Sequence, residues 1–97
     1  MAKPERIEIE NVLQPGKTYR VEAAKFVAMR DAMLGVLPAA APGLTPGEIK
    51  AAVLPRLPDD LFPGGDKAGG WVKAVQLDQE AKGVVARSTA PVRLYRA

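Results

Sequence analysis

At 97 residues the chain is long enough for one domain with one modest core, and its 47% apolar and 26% charged content is ordinary for a globular protein. It has no cysteine and no histidine, which excludes a disulfide framework, thiolate chemistry, the usual zinc ligands and the commonest general base. The net charge of +3 is mild but uneven: residues 67–97 carry six basic side chains against two acidic ones, and residues 32–66 carry two against four. A positive C-terminal third suits a polyanionic partner, although a solvated basic surface looks the same in sequence.

The first ten residues, MAKPERIEIE, are charged and hold no signal-peptide apolar core. No apolar run reaches membrane-spanning length, so cytoplasmic residence without a membrane partner is the expectation. In RIEIEN, Ile7 and Ile9 alternate with Arg6, Glu8 and Glu10, the pattern of a half-buried strand. Pro15 and Gly16 mark a turn. The following TYRV either pairs with the first strand as a hairpin or leads into a helix. From Val21 to Leu37 the period becomes helical, with Phe26, Met29, Met33, Leu34 and Leu37 on the buried stripe and Pro38 as the stop.

After a loop over residues 38–43, Thr45-Pro46-Gly47-Glu48 is a helix-start signal with a capping box. Ile49, Ala52 and Val53 are the buried positions of a short second helix, closed by Pro55 and Pro58. The stretch FPGGDKAGGW, residues 62–71, looks like a phosphate loop but lacks its spacing. Counted from Gly64, the second glycine is Gly69, and Gly70 and Trp71 stand where Lys and Ser/Thr are required. It reads instead as a turn at Pro63-Gly64-Gly65 that leads into a third helix from about Lys67 to Lys82, stopped by Gly83.

Two apolar stripes compete for the inward face of that helix. Trp71, Ala74, Leu77 and Ala81 form one, and Val72, Val75 and Gln79 the other. Trp71 is expected in the core, Asp78 at the core edge beside Arg87 or another basic group, and Lys73, Gln76 and Glu80 in solvent. VVAR, a turn at STAP, and VRLYR then read as a closing β-hairpin. An enzyme is not expected: the hydroxyls of Thr18, Thr45, Ser88 and Thr89 have no histidine to activate them, and Asp59, Asp60 and Asp66 lack a partnering phosphate motif. No cofactor, metal or small-molecule ligand is evident.

The segments LTPGEIKAAVL, WVKAVQLDQEAKGVVAR and the closing hairpin resemble a winged helix-turn-helix domain. AKGVVAR is similar to the signature in which a helix ends at Gly, two apolar residues follow, and then Arg; Gln79 stands where that pattern has a large apolar residue. The whole chain is also similar to a family of small uncharacterised bacterial winged-helix-like proteins. The resemblance, over residues 22–97, implies an α+β fold in one domain, 1–97: an N-terminal strand or arm (1–20), a three-helix core (21–83) and a β-hairpin wing (84–97).

It also implies a regulatory DNA-binding protein, a homodimer being one form open to it, with the third helix in the major groove and the wing on the backbone. On that reading Lys67 sits where a helix start attracts phosphate. Lys73 and Gln76 face the groove, with Gln76 able to read adenine. Arg87, Arg93 and Arg96, with Ser88 and Thr89 at the tip, place the wing on phosphates. The second reading keeps the winged-helix shape for protein interaction or dimerisation without nucleic acid; apolar residues on two faces of the third helix point to it.

Overall fold

The computed structural model describes residues 5–89 and 91–97. The first four residues of the expected arm and Ala90 of the expected wing turn lie outside them. Strands β1 (Arg6–Glu10) and β2 (Thr18–Glu22) pair antiparallel, so TYRV is a strand and the N-terminal arm is a hairpin. Its register explains itself. Ile7 faces Val21 and Ile9 faces Tyr19 on one side, while Arg6 faces Glu22 and Glu8 faces Arg20 on the other. Opposite charges and apolar pairs thus match across the strands, each worth a few tenths of a kcal/mol by order of magnitude.

Helix α1 (Ala23–Val36) buries Phe26, Met29, Ala32 and Met33, followed by Leu37. Helix α2 (Pro46–Val53) opens on both bonds of the capping box. Thr45 Oγ accepts from the Glu48 N–H at 3.2 Å, and Glu48 Oε1 accepts from the Thr45 N–H at 2.9 Å. Ile49 and Val53 point into the core, and Pro55 is taken up in a 3-10 turn over Leu54–Arg56.

The cap sets a test. The Thr45 hydrogen bonds, its backbone N–H first, hold the Glu48 carboxyl below the usual carboxylate range, and the Arg93 charge adds to them against a smaller opposing desolvation. A carboxyl lowered in the folded state contributes stability above its unfolded pKa, and loses it as pH falls through the lowered value. Thr45→Ala should cost about 1 kcal/mol at neutral pH. It should also make the acid limb of the melting profile shallower, but only in part, since the backbone N–H bond of residue 45 to Glu48 survives the substitution. Thermal melts of both proteins between neutral pH and the carboxylate range will read the change.

The glycine stretch is a turn, as its spacing predicts. Pro63–Gly65 makes a 3-10 turn in which Gly64 and Gly65 take φ of 61° and 79°, and Asp59 Oδ1 accepts the Gly64 N–H at 3.1 Å. Helix α3 (Ala68–Ala81) follows and stops at Gly83, φ 74°. There the Val84 N–H reaches the Gln79 carbonyl at 2.9 Å and the Gly83 N–H reaches the Glu80 carbonyl at 3.2 Å, which satisfies the last turn.

Strands β3 (Val85–Ser88) and β4 (Arg93–Arg96) close the chain as a second hairpin. Leu44, just before α2, forms a two-bond antiparallel bridge with Leu94 of β4: Leu44 N to Leu94 O is 2.9 Å and Leu94 N to Leu44 O is 2.7 Å. Three mutually packed helices and two hairpins therefore share one core around Phe26, Met29, Ile49, Val53, Val75 and Leu94. The architecture is a small α+β domain.

The competition between the two stripes of α3 is resolved for the second. Ala68, Val72, Val75 and Gln79 are buried at three- and four-residue spacing, whereas Trp71 is only half-buried. Its ring meets Phe62 edge-on, centroids 6.3 Å apart at 86°, at the rim of the core rather than inside it. The last turns of α3 are buried on further sides as well, because the N-terminal hairpin lies across them. The Val12 N–H donates to the Leu77 carbonyl at 3.2 Å and the Glu10 N–H to Asp78 Oδ1 at 2.8 Å.

Candidate nucleic-acid interface

A cleft of about 460 Å³ runs between the start of α2, the middle of α3 and the C-terminal hairpin. Lys50 and Lys73 border it, Val72 and Leu77 form its apolar wall, Gln76 lies within it, and Arg87 of β3 closes one side. Each element places its residue for a local reason. Ile49 and Val53 turn inward, so Lys50 emerges about 100° round α2, toward α3. Its side chain runs beside Gly69, where a Cβ would stand 3.7 Å from Lys50 Nζ. Val72 and Val75 turn inward on α3, so Lys73 emerges to solvent.

Of the residues expected at the interface, the cleft brings together Lys73, Gln76 and Arg87. Lys73 is exposed. Gln76 is not solvent-facing: only 6% of it is exposed, and its Nε2 donates to Glu80 Oε2 at 3.3 Å. Leu13 of the N-terminal hairpin and Arg87 line the same cleft around it. Glu80, also expected in solvent, has a side chain only 7% exposed, because Arg87 grips it through Nε at 2.7 Å and Nη2 at 2.9 Å. That bidentate pairing raises the Arg87 pKa further above its already high value and fixes the guanidinium in place.

The remaining candidates are dispersed. Lys67 is exposed at the start of α3, with φ 60°, beside Gly70 and Trp71 on a different face from Lys73. Ser88 Oγ donates to the Pro42 carbonyl at 2.8 Å. Thr89 is exposed just after β3. Arg93 Nη1 reaches the Gly43 carbonyl at 3.3 Å and Glu48 Oε1 at 3.4 Å, and Arg96 Nε donates to the Leu37 carbonyl at 3.0 Å. Arg93 and Arg96 therefore tie the hairpin to the loop before α2 and to the end of α1.

Asp78 is fully buried and pairs with Lys82, not Arg87, at 2.8 Å. Lys50 is the cleft residue that sequence reasoning missed. A signal for it exists: it follows the buried Ile49 in a capped helix, one step round from the inward stripe. Among the described residues, neither Lys50 nor Lys73 has a carboxylate within salt-bridge reach. No three acidic side chains of the described residues come together as a metal-ligand set, and no helix is long and apolar enough to cross a membrane.

The fold and cleft define a small α+β domain with a cationic groove between two helices and a hairpin. The chain belongs to DUF6958, a family of unknown function, whose match spans residues 6–94. No curated protein and no solved structure matches it.

Proposed function

We propose that this domain is a winged helix-turn-helix that binds duplex DNA along the cleft between α2, α3 and the wing. The observation that carries the reading is the pair of ammonium groups, Lys50 and Lys73, unpaired among the described residues, on the border of a groove whose described lining contains no carboxylate. The order of α1, capped α2, α3 and hairpin supports the winged-helix assignment, and the Leu44–Leu94 bridge holds the hairpin beside α2 so that the three elements face one ligand. With Gln76 engaged by Glu80 and the wing arginines engaged within the fold, affinity rests on phosphate neutralisation rather than base readout. Lys50 and Lys73 are the principal contacts, with Lys67 and Thr89 at the margins.

Two neutralised phosphates, at Lys50 and Lys73, give a slope of about −2 in log affinity against log salt. A mobility shift with random-sequence duplex across a salt series should show that slope, and Lys50→Glu with Lys73→Glu should weaken binding by at least about tenfold at low salt, whatever the sequence. Absence of any shift at low salt, or a flat salt profile, would overturn the reading.

A protein-interaction role is favoured by one separate feature. Val12 and Leu13, 37% and 63% exposed, project from the hairpin turn, and Leu13 stands at the rim of the cleft. Sedimentation of the pure protein separates a self-associating module from a monomer.

A further inference from the structure

We infer that the cleft is also a binding site for a small amphipathic organic anion, an acidic group joined to an apolar body. Its volume of about 460 Å³ lies within the usual range for small-molecule sites. Its chemistry is divided. Val72, Leu77 and Leu13 offer apolar surface, while Lys50 and Lys73 supply two positive charges at the border. Two ammonium groups with no described carboxylate in reach favour an anion between them.

Glu80, whose partners Gln76 and Arg87 both line the cleft, cannot serve as their counter-ion. Glu80 Oε1 accepts from Arg87 Nε, and Oε2 from Arg87 Nη2 and Gln76 Nε2, so both oxygens are already occupied. Gln76 itself is more than nine-tenths buried and lines the cleft, and among the described residues no donor reaches its carbonyl oxygen. That oxygen keeps some exposure, and on a residue that lines the cleft it is an acceptor left over for a ligand hydroxyl or amine.

The Gly47 N–H, in the first turn of α2 and on the same lining, is one of the donors a helix start leaves without an intrahelical acceptor. Inorganic phosphate would satisfy the charges and leave the apolar wall wet. A neutral alkyl chain would cover the wall and leave the charges unmet. Only a molecule with both parts answers the whole lining, and the exposed Leu13 at the rim is placed to close over its apolar end.

The test is a titration of the ¹⁵N-labelled full chain with octanoate, with octanol and inorganic phosphate in parallel and no DNA present, so its outcome is independent of the duplex-binding result. Octanoate should give saturable shifts confined to the amides of Gly47, Lys50, Gly69 and Lys73, and the other two probes should bind at least tenfold more weakly. Two variants address the site by different routes. Lys50→Glu with Lys73→Glu reverses the charge, and Gly69→Leu projects a side chain toward Lys50 into the cleft. Both should weaken octanoate at least tenfold while their spectra remain those of a folded protein. Shifts scattered over the surface, octanol or phosphate binding as well as octanoate, or variants that bind like the parent would each overturn the proposal.

Discussion

Asp78→Ala should cost about 3 kcal/mol of folding stability, because it takes the acceptor from two donors that meet it inside the fold. The carboxylate is fully buried and both oxygens are shared. Oδ1 accepts from the Glu10 N–H and Lys82 Nζ, each at 2.8 Å, and Oδ2 from Gln79 Nε2 at 2.9 Å and Lys82 Nζ at 3.0 Å. Lys82 is 39% exposed and can turn to water. The buried Gln79 amide cannot do so without opening the structure, the part-buried Glu10 N–H loses its acceptor as well, and each unsatisfied donor costs about 1–3 kcal/mol.

A domain of this size has only about 5–15 kcal/mol to lose, so the melting temperature should fall by on the order of 20 °C. The effect should be local as well as global. Asp78 is the side-chain bond that pins β1 to α3, so amide exchange in residues 6–22 should accelerate more than in α1. Asp78→Asn retains one acceptor for Glu10 but points an amide at Gln79 or Lys82, and should lie between the two. Urea unfolding of the three proteins measures the series, and a loss for Asp78→Ala under about 1 kcal/mol would remove Asp78 from its place as the tether.

What the sequence made legible, and what it did not, divides along sequence separation. The Thr45–Glu48 cap, the Pro38 and Gly83 stops, the Gly64–Gly65 turn and the alternation of β1 all act within a few residues, and each was readable. The burial of Gln76 and Asp78 was not, because it depends on a hairpin 68 residues away in sequence reaching across α3 to Asp78. Formal charge misled for a similar reason. Arg93 and Arg96 count as free cations in a composition, but their acceptors, the carbonyls of Gly43 and Leu37, lie 50 and 59 residues away. Gln79, which broke the apolar pattern of the third helix, is buried because Asp78 Oδ2 accepts from its amide, and a polar residue with a buried partner substitutes for an apolar one there. Lys50 shows the converse: an ordinary surface lysine in sequence becomes a cleft residue only when α3 presents Gly69 against it.

Gly43→Ala should be at least as damaging in proportion to its size, and it tests the joint on which the cleft depends. Gly43 holds φ at +85°, a left-handed conformation that a Cβ disfavours by about 1 kcal/mol. The steric collision costs more. A Cβ there would overlap the carbonyl oxygen of Leu94 and stand 3.0 Å from its nitrogen. Leu94 is fully buried in the core, so it cannot retreat, and its N–H and carbonyl are the two groups that bridge to Leu44. The substitution must therefore break the bridge, release the Arg93 bond to the Gly43 carbonyl, or both. The expected loss is about 3 kcal/mol or more, the range of substitutions that combine backbone strain with core displacement.

Gly16→Ala is the internal control, because Gly16 has φ of +86° but nothing within 4 Å of its would-be Cβ. It should cost only the backbone strain, about 1 kcal/mol. The difference between the two variants in chemical denaturation isolates the collision. If Gly43→Ala matches Gly16→Ala, the C-terminal hairpin is not locked to the start of α2, and the cleft between them is not a preformed site. If it exceeds Gly16→Ala by about 2 kcal/mol, the contact that closes the fold also sets the width of the cleft, and on the proposed function duplex binding should weaken together with stability.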